Sequence, residues 1–225
     1  MRQIKLIVFD MAGTTVKDQN NVHLALQTAL HNFGINVSII QINPLMGYPK
    51  PLAIKMLAEM SNVSLSEDML NSIHSKFVDL MIEHYTLHPD IAEKDNAKQV
   101  FAQLKNKGIK VAIDTGFSRP IADTIFNRLN WLKGEDIDYS VTSDEVQQGR
   151  PYPYMIFKAM EYCNIQSVEE VMKVGDTSSD LEQGTNAGCK FVVGVTSGAF
   201  AKSELIKYPH THLVETLNQI FEILG

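Results

Sequence analysis

Residues 4–15 read IKLIVFDMAGTT: four large apolar side chains from Leu6 to Phe9, then at once an acid, small residues and two hydroxyls. So short and so apolar a run is the pattern of a strand buried on both faces, and the change at Asp10, Ala12 and Gly13 predicts that it breaks there into a loop. Strands covered on both faces belong to parallel sheets sandwiched between helices. Open sheets of that kind bind ligands beyond the carboxyl ends of their strands, which is the end where Asp10 stands.

Working outward, the spacing of apolar residues is helical over 22–33, 51–60 and 67–85, with no strand between these stretches. After His88 helix and strand alternate. A helix over 97–107 is closed by Gly108 and leads to a strand over 109–113. A helix over 119–129, a strand over 139–142, a helix over 154–162 and a strand over 171–174 follow. A helix over 180–187, a strand over 190–195 and a final helix over 214–223 complete the pattern. The expected fold is α/β: a doubly wound, Rossmann-like parallel sheet with an inserted α-helical domain. Residues 1–16 and 89–225 are assigned to the core. Residues 17–88 are too long for an ordinary connection and are assigned to a helical cap that lies over the strand ends as a lid.

Bulk properties narrow the function classes. The chain has 225 residues and a formal charge of −6, which disfavours nonspecific attraction to nucleic acid or anionic membrane. Cys163 and Cys189 are the only cysteines, without the spacing of a disulfide framework or a zinc site, and a reducing cytoplasm is the expected location. The apolar run near the N-terminus is too short for a signal peptide, and no stretch is long and apolar enough to span a membrane. None of the scattered histidines is assigned a role.

Asp10, Thr115, Arg150 and Asp176 each stand at or shortly after the end of an expected strand, so a doubly wound sheet gathers them at one edge despite their separation in sequence. One aspartate in such a place is most often a turn cap. Four positions that converge are harder to read that way. The segments DMAGTT (10–15), DTG (114–116), GRPYP (149–153) and GDTSSD (175–180) resemble, in order and spacing, the four motifs of the haloacid dehalogenase superfamily.

The resemblance implies a Mg²⁺-dependent hydrolase in which Asp10 attacks phosphorus and becomes an aspartyl-phosphate that water later hydrolyses. Asp10, Asp176 and the carbonyl of Ala12 would hold the metal, with Asp180 as a further ligand or as support. Thr115 and the backbone N–H groups that follow it, Gly116 among them, would bind phosphoryl oxygens, and Arg150 would neutralise their charge. The expected partner is a small phosphorylated or phosphonate substrate, and a homodimer is compatible with the sequence.

Two departures narrow the resemblance. Position 12 is Ala12 where most of the superfamily has an acid that protonates the leaving group, and the cation at 150 is arginine in place of the usual lysine. Both are similar to the phosphonatase family, the phosphonoacetaldehyde hydrolases, where a cap lysine forms a Schiff base with the substrate aldehyde and no alkoxide has to leave. The segment MGYPK (46–50) resembles that family's substrate loop, with Met46 and Gly47 against the substrate and Lys50 as the amine. Ala53 and Phe117 stand where that family has a histidine and an aromatic hydroxyl. The alternative within the same superfamily is a small-molecule phosphatase, of the phosphoglycolate phosphatase kind, or a phosphomutase.

Overall fold

The computed structural model describes residues 3–225. Strand β1 (Leu6–Phe9) is followed by four helices, α1 (Asn21–His31), α2 (Ile39–Ile42), α3 (Lys50–Met60) and α4 (Glu67–Leu87). The chain then alternates through α5 (Ala97–Asn106), β2 (Lys110–Thr115), α6 (Arg119–Leu129), β3 (Tyr139–Thr142), α7 (Tyr154–Tyr162) and β4 (Val171–Gly175). It ends through α8 (Ser178–Ala187), β5 (Phe191–Val195), α9 (Lys202–Leu205), β6 (His212–Val214) and α10 (Ile220–Leu224). All pairings are parallel and the strand order is β3-β2-β1-β4-β5-β6.

The order decides where a ligand can bind. From β1 the chain builds outward to β2 and β3, then returns to place β4 on the other side of β1, so direction reverses between β1 and β4 and a crevice opens there. Phe9 is in register with Ile113 and with Val174, which sets Asp10, Asp114 and Gly175 at one level along that edge. Alternate side chains of β1 enter opposite layers. Ile7 and Phe9 join the larger core, where Phe9 lies 5.4 Å from Phe101 between ring centroids, and Leu6 and Val8 pack with Ile156 and Ala159. Each such buried side chain contributes about 1.5–3 kcal/mol.

The helical connection from β1 to β2 has its own sequence logic. Ser66 caps α4 by accepting a hydrogen bond from the Met69 N–H at 3.2 Å, and Glu67 and Asp68 complement the dipole of its first turn. Ile73, Phe77, Met81 and Tyr85 recur every fourth residue and form its buried stripe. This helix packs against α1 and α3 and also against α6 of the sheet layer, so the insertion is seated on the helices beside the sheet.

The expected final helix over 214–223 is corrected. Val214 ends the edge strand β6, a 3₁₀ turn spans Leu217–Gln219, and only Ile220–Leu224 is α-helical. Three residues paired on one side are too few to show a period of two, and their apolar neighbours mimic a helical stripe.

Candidate active site

Asp10 directly follows β1, Thr115 ends β2, Arg150 lies in the loop before α7, and Asp176 directly follows β4. One pocket is lined by Asp10, Ala12, Met46, Gly47, Lys50, Thr115, Gly116 and Arg150. Every expected position is thus on its wall except Asp176 and Asp180, which are fully buried. The insertion reaches the pocket through glycines. A Cβ on Gly47, whose φ is +81°, would stand 2.2 Å from Ser179 Oγ, and one on Gly116 would stand 2.7 Å from the Gly47 carbonyl oxygen. Backbone therefore meets backbone where Gly47 and Tyr48 cross the end of β2, and Gly47 meets the hydroxyls of Thr177 and Ser179 at the start of α8, with no room for a side chain at either glycine.

Arg150 is the hub beneath the pocket and is 1% exposed. Its Nη1 donates to Asp10 Oδ1 at 2.7 Å and lies 2.9 Å from Asp180 Oδ1, while Nη2 donates to the Asp114 carbonyl oxygen at 2.8 Å and to its carboxylate at 2.5 Å. Lys173, entirely buried inside β4, bonds the Asp114 carboxylate and stands 3.0 Å from Asp180 Oδ1. Asp180 Oδ2 accepts from Thr177 Oγ1 at 2.6 Å and from its N–H, capping α8. Burial alone would raise the Asp180 carboxyl, but Arg150, Lys173 and Thr177 together hold it below its ordinary range. Asp114 and Lys173 went unassigned in the sequence. Their signal was there: an ionisable residue inside each of two otherwise apolar strands, VAID and VMKV, needs a buried partner of opposite charge.

Of the four buried carboxylates, Asp10, Asp114 and Asp180 are bonded by the buried cations Arg150 and Lys173, while the buried Lys94, whose Nζ donates to the Gly13 carbonyl oxygen, stands in the fields of Asp176 and Asp10 without bonding either. Burial pushes the Asp10 carboxyl up to about 6 in spite of Arg150, and burial with the fields of Asp10 and Asp180 pushes Asp176 up to about 8. Asp176 accepts only from neutral donors, Thr14 Oγ1 at 2.8 Å and the Ala199 N–H at 2.6 Å. Carboxylate oxygens of Asp10, Asp114 and Asp180 lie within 4.8 Å of one another, but Arg150 and Lys173 already hold that trio. Asp176, which no cation bonds, and Asp10 offer hard oxygens of the kind a divalent cation takes. Gly13 and Gly198 shape this edge, since a Cβ on either would stand 2.2 or 2.1 Å from Asp176 Oδ2.

Lys50, at the first turn of α3, is 3% exposed. Its Nζ donates to the Tyr48 carbonyl oxygen at 3.3 Å and stands 5.8 Å from the centroid of the Phe117 ring. Burial, then the nearby Arg150, lower its pKa from 10.5 to about 8, against the opposing pull of Asp10 and Asp18.

The profile of the haloacid dehalogenase-like hydrolases matches residues 7–194. The chain belongs to this family. Among curated relatives it is 31% identical over 210 residues to the phosphonoacetaldehyde hydrolase of Bacillus mycoides, covering 88% of this chain and 77% of that one. A hydrolase from Pseudomonas syringae superposes with a TM-score of 0.88 at 22% identity, covering 99% of this chain and all of the other. A β-phosphoglucomutase from Clostridium difficile superposes at 0.80 with 20% identity, covering 99% and 96%. These structures share the fold. Ala12 gives the pocket wall no proton to donate, and the buried Lys50 lines the same pocket as Asp10.

Proposed function

We propose that this hydrolase cleaves the carbon–phosphorus bond of a small phosphonate aldehyde of the phosphonoacetaldehyde type, held as an imine on Lys50. The observation that carries the reading is Lys50 itself: a lysine 3% exposed, on the wall of the pocket that contains Asp10, with its pKa lowered to about 8. A structural lysine gains nothing from such a place, whereas an amine nucleophile must be neutral to react. Residues 17–88 are then a cap that delivers Lys50 to a catalytic core of residues 1–16 and 89–225, and the unpaired Cys163 and Cys189 suit the cytoplasm.

The Nζ lone pair bonds the aldehyde carbon, the carbonyl pair moves to oxygen, and that oxygen takes a proton from the nitrogen. With a second proton from solvent the oxygen leaves as water while the nitrogen pair closes a protonated imine. Asp10 then attacks phosphorus in line, and the carbon–phosphorus pair moves into the organic fragment to give an enamine. The charged nitrogen accepts those electrons, so no acid is needed at Ala12. Thr115, Gly116 and Arg150 hold the phosphoryl oxygens. Asp10, Asp176 and the Ala12 carbonyl would hold Mg²⁺, supported by Asp180, and the ion would supply charge that offsets the repulsion between Asp10 and the phosphoryl group.

Borohydride with phosphonoacetaldehyde is expected to add mass at Lys50, and Lys50→Met is expected to abolish both the adduct and phosphate release. The trapping rate is expected to rise about tenfold per pH unit up to about pH 8 and level off above it, following the neutral amine. The folded pKa lies below the unfolded 10.5, so Lys50 withholds stability below about pH 8, and that stability returns as pH rises from about 8 to 10.5. Lys50→Met is accordingly expected to melt higher than the parent at pH 7. Phosphate release from phosphomonoesters by a Lys50→Met variant at parental rates would instead establish a plain phosphatase.

A further inference from the structure

Asp18 is half-buried on the wall of the pocket that holds Lys50 and Asp10, in the turn that leads from the Asp10 loop into α1. Its Oδ1 accepts from the N–H of Asn21 at 2.8 Å and from that of Val22 at 3.4 Å, which occupies two open donors in the first turn of α1. Its Oδ2 has no hydrogen-bond partner among the described residues. The helix asks for one accepting oxygen, and an asparagine would supply it nearly as well. The charge and the second oxygen are left without a structural use. Lys50 does not take them up, since its Nζ donates to the Tyr48 carbonyl oxygen and makes no ion pair with Asp18.

Imine formation needs a group that the rest of this wall lacks. The nitrogen must lose a proton as it bonds carbon, and the oxygen must gain protons before it leaves. Asp10 is held by Arg150 Nη1 at 2.7 Å, and the guanidinium of Arg150 keeps its own proton. Thr177 Oγ1 already donates to Asp180 Oδ2 at 2.6 Å, and Thr115 Oγ1 accepts from the Phe117 N–H at 3.2 Å. Val22, Met46 and Phe117 are apolar. Asp18 is the carboxylate of the wall that no cation bonds.

We propose that Asp18 is a catalytic residue of imine formation, its free carboxylate oxygen taking the proton that Nζ loses on bonding the aldehyde carbon and passing it to the oxygen of the adduct. The inference rests on the Lys50 reading above. As the new bond forms, the carbonyl pair moves to oxygen and the nitrogen becomes cationic. The proton then crosses from nitrogen to that oxygen by way of Asp18. With a second proton from solvent the oxygen leaves as water, and the nitrogen pair closes the protonated imine. Asp18 ends as the carboxylate it began as, so the proton balance is unchanged. Transfer through a positioned group of this kind accelerates such a step by about 10²–10⁴-fold.

The test is Asp18→Asn, whose amide oxygen can still accept from the Asn21 N–H. The comparison is made at about pH 9, where Lys50, with its pKa of about 8, is mostly neutral in the parent. Borohydride trapping of phosphonoacetaldehyde at Lys50, followed by mass spectrometry, is expected to slow by at least about tenfold. The melting temperature, and the beryllofluoride adduct at Asp10 in Mg²⁺, are expected to match the parent. A role through charge alone has the opposite effect: Asp18 pulls the Lys50 pKa upward, so asparagine would leave more neutral amine and trapping would not slow. Trapping as fast as in the parent, or faster, would overturn the role of Asp18 and leave that of Lys50 standing. Slower trapping joined to a melting temperature several degrees lower, or to loss of the beryllofluoride adduct, would overturn it too, by placing the defect in the fold of the pocket. No trapping in the parent would overturn the Lys50 reading and this one with it.

Discussion

Asparagine in place of Asp10 is expected to lower phosphate release by about 10⁴-fold or more while leaving the fold intact. Attack on phosphorus needs an anionic oxygen, and an amide oxygen of the same size has neither the charge nor the basicity. The hydrogen bond from Arg150 Nη1, 2.7 Å in the parent, can still be accepted by the amide oxygen. Stability separates the two roles of this carboxylate. The folded pKa of Asp10 is about 6 against 3.8 unfolded, so the folded protein binds the extra proton and stability falls as pH rises from about 4 to 6. At pH 7 in EDTA the Asp10→Asn variant should melt no lower than the parent. In Mg²⁺ the parent should gain and the variant should not, because the ion then loses one of its two carboxylates. Phosphate release within a hundredfold of the parent would remove Asp10 from the role of nucleophile.

Arg150→Met is expected to cost about 3–5 kcal/mol of folding stability as well as activity, because it leaves Asp10, Asp114 and Asp180 with Lys173 as their remaining buried cation. For a chain of this length that loss is on the order of 10 °C in melting temperature. Arg150→Lys should recover only part of it. Arg150 reaches Asp10 through Nη1 and Asp114 through Nη2, and a single ammonium has no fork with which to span both. A melting curve at neutral pH decides the matter, and an Arg150→Met variant as stable as its parent would mean that the carboxylates are neutral in the folded protein.

The place of Asp10 was legible because two independent signals meet there: an apolar run too short for anything but a buried strand, and an acid directly after it. The same coincidence at Thr115 and Asp176 made the gathering at one sheet edge readable before any coordinates. Lys50 was legible only through the likeness of MGYPK to a known loop, since a lysine beside two prolines has no periodicity that reports its burial. Asp114 and Lys173 escaped because their roles depend on what stands across from them in space. The edge strand His212–Val214 escaped for another reason, that three residues carry no repeat.

The place of β1 in the sheet has a consequence for how the protein is made. Leu6–Phe9 is the first strand to leave the ribosome, yet its two neighbours are Lys110–Thr115 and Val171–Gly175. At ~5–20 residues per second the nascent chain waits roughly ten seconds or more before Val171 exists to close the second flank of β1. During that interval LIVF is an apolar tetrapeptide with at least one free edge, while α1, α3 and α4 can already pack on one another through contacts near in sequence. The helices that frame Lys50 are thus in a position to form first, and the strand that presents Asp10 is among the last to be fully enclosed.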